Sequence, residues 1–366
     1  MRFIGTTRTA VAVLLLAAAS LASSSAGESP GFEEAAAAEG QAKRTPKPVS
    51  IAWGGDVTLG SSYGNPPNGG RALLAAGRRV LERANIGAVN YEGTFGPGGA
   101  SKCGAGSENC FAFQAPPGNA RTLRRAGVDI VNHANNHAFD YGAVGWRSTR
   151  DALARAKVAA TGAPGEVEVI QRNGTRVAFL GFSTYSWTNA MGEDAVVRAR
   201  VENAAGQADV VVAFLHAGAE GADQQHVPRG PESAFGEYRG DSRHFARVAI
   251  DAGADLILGS GPHVLRGLEL YKNRLIAYSL GNLAGWHNFG TSGRSSLSAL
   301  ITVALGPAGR FYVARIASYK LDGAGVPHAD RGRGAVKLMR FLSRGDFPKS
   351  ALKIDRFGLV TVIDRD

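Results

Sequence analysis

Cysteine is nearly absent from this chain: its 366 residues carry two, Cys103 and Cys110. That scarcity rules out a disulfide-dense small scaffold, and the pair lacks the spacing and the further Cys or His partners of a zinc hairpin. One disulfide is their simplest use, and in the chain-entropy model closing so short a loop stabilises by roughly 2–3 kcal/mol. Long apolar runs are missing too. The unbroken run from Ala10 to Ala19 is about half of the ~20 residues that a membrane-spanning helix needs, and no later segment reaches that length. Nor is there an excess of acid, since 41 Lys and Arg stand against 31 Asp and Glu for a net charge of +10. Lysine itself is scarce, with 9 of those 41. The resulting field favours anionic partners without naming one. An arginine-rich surface suits bidentate recognition of carboxylate or phosphate, although a compositional bias toward Ala, Gly and Arg would produce it equally. What remains is 44% hydrophobic and 20% charged, enough for a large core and unlike a disordered or collagen-like chain.

The first 26 residues have the grammar of a secretory signal peptide. Arg2 and Arg8 give a positive start, the Ala10 to Ala19 run follows, and Ser24-Ser25-Ala26 ends in small residues. The expectation is an exported protein, periplasmic or extracellular, with an uncleaved N-terminal membrane anchor as the alternative. No cysteine follows the run, which speaks against a lipid anchor. Residues 27–49 mix Glu, Ala, Lys and Pro without hydrophobic period and read as a disordered linker. With two arginines in the first segment and one net negative charge in the second, +9 remains on residues 50–366.

From residue 50 onward, short Val- and Ile-rich runs alternate with segments of helical period, as in strands joined by helices. Strands are expected over 50–54, 86–91, 128–132, 176–182, 209–215 and 255–259, and helices over 71–85, 119–126, 144–156, 195–205 and 236–252. Several of the strands look buried on both faces. Hairpins are expected between 264–271 and 275–279, between 298–305 and 311–321, and between 167–172 and 176–182 across Asn173-Gly174. The second half should therefore be strand-rich and mostly antiparallel, in one α/β domain of two packed sheets with helices outside. Beyond Asp322 a basic, helix-like stretch at 337–344 reads as a solvated face, and no repeat of fixed period occurs.

Polar residues fall at the ends of these strands. Asp56 follows the first, Glu92 the second, and Asn136, His137 and Asp140 the third; His216 with Glu220, and Ser260 with His263, follow two more. Ligands collect at the carboxyl ends of strands in covered sheets, and an O/N donor set of this mix suits Mn, Fe, Zn or Mg. Each residue also has a local use: Asp56 as a turn or cap residue, Glu92 in a surface turn, Asn136 and His137 as caps, and His263 in a hairpin. Five such coincidences at strand ends favour a shared site.

The order GGDVTLG, NYEG, NHANNHAFDYG, FLHAGAEG, GADLILGSGPHVLRGLE and IAYSLGN closely resembles the CapA-type capsule-synthesis proteins associated with poly-γ-glutamate. That family has a fold similar to the calcineurin-like metallophosphoesterases. The resemblance implies an α/β, metallophosphoesterase-like two-sheet sandwich flanked by helices (αββα) over 50–366. It implies that Asp56 and His263 hold a first metal, Glu92 bridges, and Asn136 and His216 hold a second. His137 would contact an oxyanion or protonate a leaving group, oriented by Asp140, because such a histidine needs a carboxylate to fix its tautomer. Glu220, Ser260 and Asn282 in the same motifs are the expected substrate contacts. A two-metal site suits hydrolysis.

Departures from the pattern matter here. The Asp-x-His of phosphoesterases is Asp56-Val57-Thr58, Ser260 stands where another histidine is frequent, and Glu92 replaces paired aspartates. The site is therefore expected to hold two ions, one ion, an ion only with substrate, or none. Three function classes follow: a metal-assisted hydrolase or transferase on an anionic polymer or phosphoester, a metal-free acid–base enzyme of epimerase type built on Asp56 and His263, and a non-catalytic component of envelope polymer assembly. The expected partners are an anionic polymer such as poly-γ-glutamate and membrane polymer-synthesis proteins. Nothing points to nucleic acid, and the oligomeric state is not readable.

Overall fold

Side chains on a strand alternate between faces, so the apolar pattern of each strand decides which layers it joins. In the first long strand, Ile51 and Trp53 face one layer while Ala52 and Val57 face another, and all four are buried. A strand covered on both faces belongs in the middle of a layered molecule. These observations come from a computed structural model that describes residues 45–104 and 110–363. The segment read as a signal peptide and the greater part of the linker lie outside the described residues.

The main strands are β1 (Val49–Thr58), β2 (Ile86–Tyr91), β3 (Ile130–Asn132), β4 (Ala159–Thr161), β5 (Glu168–Arg172), β6 (Thr175–Ser183), β7 (Val210–His216), β8 (Leu256–Ser260), β9 (Leu268–Tyr271), β10 (Arg274–Ala277), β11 (Asn282–Gly285), β12 (Leu297–Leu305), β13 (Phe311–Leu321), β14 (Lys353–Ile354) and β15 (Leu359–Thr361). The first sheet runs β14-β15-β13-β12-β1-β2-β3-β4, with β11 also on β1. The second runs β9-β10-β8-β7-β6-β5. Around β1 to β4 and β6 to β8 the pairing is parallel, and the hairpins β5/β6, β9/β10 and β12/β13 are antiparallel.

Helices α1 (Arg71–Ala75), α2 (Arg78–Arg83), α3 (Ala120–Arg125) and α4 (Gly142–Ala156) cover the outside of the first sheet, where Leu73, Leu81, Leu123 and Leu153 join the outward residues Ala52, Val89 and Val131. Outside the second sheet lie α5 (Asp194–Ala205) and α6 (Ser242–Asp251), with Val197, Val201 and Phe245 packed on Ala178, Leu180 and Ala213. Between the sheets a third cluster joins Ile51, Trp53 and Ile86 to Phe179, Phe214 and Leu258. The layering is αββα. Trp53 links the sheets: its ring stacks on Phe214 at 4.9 Å and its Nε1–H donates to the Gly259 carbonyl at 3.1 Å.

Three elements differ from the sequence expectation. The helix expected over 71–85 is two short helices broken at Gly77, where a Cβ would lie 2.8 Å from Leu300, so glycine lets the backbone approach β12 at a cost in helix propensity. The helix expected from 236 starts at Ser242. Asp241 caps it by accepting from the His244 amide at 2.9 Å, and Glu237–Gly240 forms a hairpin strand instead. The stretch 337–344 belongs to α7 (Gly334–Asp346), which is not simply solvated: Val336 and Met339 enter the layer between the sheets, and the helix packs on β13 and β9.

Candidate metal centre

Register brings the strand-end residues into two rows. In the first sheet Asp56 pairs with Asn282 on one side and Asn90 on the other, and Asn90 pairs with Asn132. In the second, His216 lies between Ser183 and Ser260. The two rows meet at the carboxyl ends of the parallel strands. Asp56, Glu92 and His263 each present a ligand atom there, and these atoms all lie within 4.8 Å of one another.

Asn90 is the hub of the cluster. Its amide oxygen accepts from Asn132 at 2.9 Å and Asn135 at 3.1 Å, which fixes the orientation of the group. Its Nδ2 then faces Asp56 Oδ1 at 2.8 Å, Glu92 Oε1 at 3.2 Å and His216 Nδ1 at 3.2 Å. Two protons cannot serve three acceptors fully. The remaining capacity is visible elsewhere: Glu92 Oε2, His216 Nε2 and Asn136 Oδ1 are buried and bonded to nothing among the described residues. Unpaired buried polar atoms are costly, and two of these belong to adjoining side chains, with His216 Nδ1 3.7 Å from Glu92 Oε1, so that a cation beside them would satisfy both. The residues present therefore fit a divalent metal.

Without an ion, the groups of the site are held in different protonation states. Burial and the neighbouring Asp56 carboxylate push the Glu92 carboxyl well above its ordinary range. Burial also holds His216 well below the usual imidazole value, so it stands neutral with a lone pair for a ligand. Burial would lower His263 as well, but the Glu92 carboxylate and the Asp56 hydrogen bond outweigh it and hold this histidine up at about 10, so an ion bound by this ring would have to displace its proton. Its Nδ1 sits 3.2 Å from Asp56 Oδ2 and its Nε2 3.9 Å from Glu220 Oε2.

Of the expected substrate contacts, Ser260 and Asn282 are fully buried against ligand-type histidines: Ser260 Oγ lies 3.2 Å from His216 Nδ1, and Asn282 Oδ1 lies 2.8 Å from His263 Nδ1. Both are placed to orient imidazoles, in the manner of partners behind metal ligands. Glu220 is held by Arg239 Nη1 at 2.9 Å and is the expected contact that faces the open cavity. Thr58, at the missing histidine, takes the Asn288 amide at 2.6 Å.

His137 and Asp140 form a separate pair, with Nδ1 2.9 Å from Asp140 Oδ2. That carboxylate fixes the tautomer and leaves Nε2 for a substrate oxygen. The pair borders a cavity of about 580 Å³ also lined by Lys102, Asn136 and Glu220. Cys103 and Cys110 are bridged beside it. The sequence reading assigned no role to Asn90, Lys102 or Arg239; the NYEG motif carried Asn90 in plain view, whereas nothing local marks the other two.

The family described as "Bacterial capsule synthesis protein PGA_cap" matches residues 50–285, which include every strand-end motif. The chain is 33% identical over 190 residues to the capsule biosynthesis protein CapA of Bacillus anthracis, covering 45% of this chain and 43% of that one. To the PGA biosynthesis protein CapA of Bacillus subtilis (strain 168) it is 30% identical over 188 residues, 46% of each chain. It thus spans under half the length of these curated relatives. Among solved structures, the calcineurin-like phosphoesterase YfkN of Bacillus subtilis gives a TM-score of 0.43 at 12% identity over 82% of this chain and 98% of that one. The 5′-nucleotidase precursor of Thermus thermophilus gives 0.43 at 15%, over 81% and 59%. Neither likeness is close enough to transfer a residue's role. With the match over residues 50–285 running through both sheets and all the site residues, the chain belongs to the bacterial capsule synthesis protein (PGA_cap) family.

Proposed function

We propose that the protein is exported and acts in capsule or poly-γ-glutamate-type polymer biosynthesis as a metal-dependent hydrolase or transferase on an anionic polymer or phosphoester. The observation that carries this reading is the cluster of Asp56, Glu92 and His263, whose ligand atoms lie within 4.8 Å of one another, together with the unpartnered buried atoms Glu92 Oε2 and His216 Nε2. Asp56, Glu92 and His263 would hold a first ion, with Glu92 shared toward a second at Asn136 and His216. A divalent ion held by these residues would supply Lewis acidity, lowering the pKa of water and stabilising charge on the attacking and leaving oxygens. The protein's own groups do the rest. Arg239 steadies Glu220 at the cavity, and Asp140 holds His137 in the Nδ1–H tautomer, so that Nε2 takes a proton from the attacking water and passes it on to the leaving group. The +9 carried by residues 50–366 suits an anionic substrate.

Metal analysis of protein purified without chelator tests this directly. Stoichiometric Mn, Fe, Zn or Mg is expected in the wild type and is lost in Asp56→Ala and His263→Ala. A wild type that carries no ion and takes none up on titration with Mn sinks the reading. A screen of phosphodiesters and γ-glutamyl peptides with Mn then separates an enzyme from an assembly component. The second reading, a metal-free acid–base pair, rests on the His263 Nδ1 to Asp56 Oδ2 contact of 3.2 Å, and turnover that survives exhaustive chelation would favour it.

A further inference from the structure

The chain on either side of the disulfide, at Lys102 and at Phe113, is gripped by the Asp140–His137 pair. On the upstream side, the Lys102 amide donates to the Asp140 carbonyl at 2.7 Å, and Lys102 Nζ bonds Asp140 Oδ1 at 2.7 Å and the Asn136 carbonyl at 3.1 Å. Downstream, the Phe113 amide donates to Asp140 Oδ2 at 2.7 Å, and its ring stacks on the His137 imidazole at 4.4 Å. Asp140 is fully buried, so its two oxygens are shared among an ammonium, an amide and an imidazole, and the geometry of each sets that of the others.

The two limbs are anchored unequally. Phe113 is fixed beside a separate two-stranded parallel sheet: the Thr94 amide donates to its carbonyl at 2.9 Å, and Gln114 and Ala115 pair with Thr94 and Phe95. Among the described residues Lys102 has no such strand partner, and the cross-tie upstream of it is Gln114 Nε2 on the Gly98 carbonyl at 2.9 Å. The Cys103–Cys110 bond, with its Cα atoms 5.5 Å apart, joins the loosely held limb to the firmly held one.

We propose that Lys102 and Phe113 are positioning residues for the Asp140–His137 pair, and that the Cys103–Cys110 disulfide keeps both in register. The chemistry of the pair rests on the hydrolase reading above; the positioning does not. Reduction therefore loosens His137 without unfolding the sandwich, and the site gains a dependence on the oxidising compartment.

The test uses the full chain, labelled with ¹⁵N, at one fixed pH, with the His137 ring signals identified by their absence in His137→Gln. Oxidised wild type shows the Nδ1–H tautomer. Wild type reduced by a phosphine, Cys103→Ser/Cys110→Ser and Lys102→Met all move toward the mixture of a free imidazole, with melting curves that remain cooperative. With Mn and an aryl phosphodiester, kcat falls by about tenfold in these forms while KM stays within about twofold, as for a misplaced proton-transfer group. Lys102→Met leaves the disulfide intact, so it decides the matter even where the cysteine variants fold poorly. An unchanged tautomer in both reduced wild type and Lys102→Met overturns the proposal. A tautomer change in a wild type that hydrolyses nothing upholds the positioning and rejects the hydrolase reading instead.

Discussion

Burial does opposite things to the histidines of this molecule, depending on which atoms surround each ring. His263 is surrounded by carboxylates that outweigh burial and hold it up, whereas at His216 burial dominates, with the Arg239 charge adding to it, and the Glu92 carboxylate 3.7 Å away does not reverse this. His133 is the plainest case. It is 2% exposed, its Nε2 faces the Gly93 carbonyl at 3.1 Å, and its Nδ1 has no partner among the described residues. Burial lowers its pKa from 6.5 to about 4. Because the folded value lies below the unfolded one, the unfolded chain takes up a proton first as the pH falls. The contribution is complete above about pH 6.5 and is lost as the pH falls toward 4. A shift of that size corresponds to about 3 kcal/mol. His133→Gln keeps a donor for Gly93, so its urea-unfolding free energy should fall less steeply than that of the wild type between pH 6.5 and 4. Parallel acid limbs in the two proteins would show that His133 does not carry this dependence.

At the scale of the element, β1 carries the site because it is broken in the right place. Its first half pairs with β12 through Trp53 and its last residues pair with β11 from Asp56 onward, with the register shifting at Gly54-Gly55. Gly55 has φ of +69°, and a Cβ there would press on the Gly281 carbonyl oxygen, the same atom that accepts from the Asp56 amide at 3.0 Å. Gly55→Ala combines left-handed backbone strain with a backbone clash. The expected loss is about 2 kcal/mol or more in denaturant unfolding, together with weaker metal uptake. A variant within about 0.5 kcal/mol of wild type, the range of neutral surface changes, would mean that the bulge does not need glycine. This element also shows what the sequence made legible. Runs of Val and Ile locate β1, β2, β7 and β8, and polar residues just past them locate Asp56, Glu92, His216 and His263, because strand ends in covered sheets are both sharp and functional. Helix breaks at Gly77 and Asp241 were hidden, since helical period continues through them and the packing that ends them lies in β12 and in the hairpin beside α6. Lys102 and Arg239 were hidden for a similar reason. Their partners Asp140 and Glu220 are distant in sequence, and an arginine or lysine near a glycine carries no local mark of a buried contact.

The whole molecule explains why those strand ends make one site and not two. The first sheet supplies Asp56, Glu92 and Asn282, and the second supplies His216 and the loops bearing Glu220 and His263, so the donor set straddles the seam beneath which Trp53 joins the sheets. An ion held by donors from both sheets binds the assembled sandwich and has no counterpart in the unfolded chain. Binding to the native state alone stabilises by mass action, about 2.7 kcal/mol when free ligand is at 100 times its dissociation constant. Mn should therefore raise the unfolding free energy of chelated wild type by about that amount at that excess, and the gain should vanish in Asp56→Asn, which keeps the fold's shape but removes a first-sheet donor. Trp53→Phe separates the two links: it removes the Nε1–H donated to Gly259 while keeping an aromatic against Phe214, so it should cost about 1–2 kcal/mol without metal and recover part of that loss when Mn is added. Calorimetric melts of the three proteins with and without Mn measure all of this. Stoichiometric Mn that leaves the wild-type melt unmoved would mean that the unfolded chain binds the ion as tightly as the assembled sandwich does, and that the straddling donor set adds nothing to the seam held by Trp53 and its neighbours.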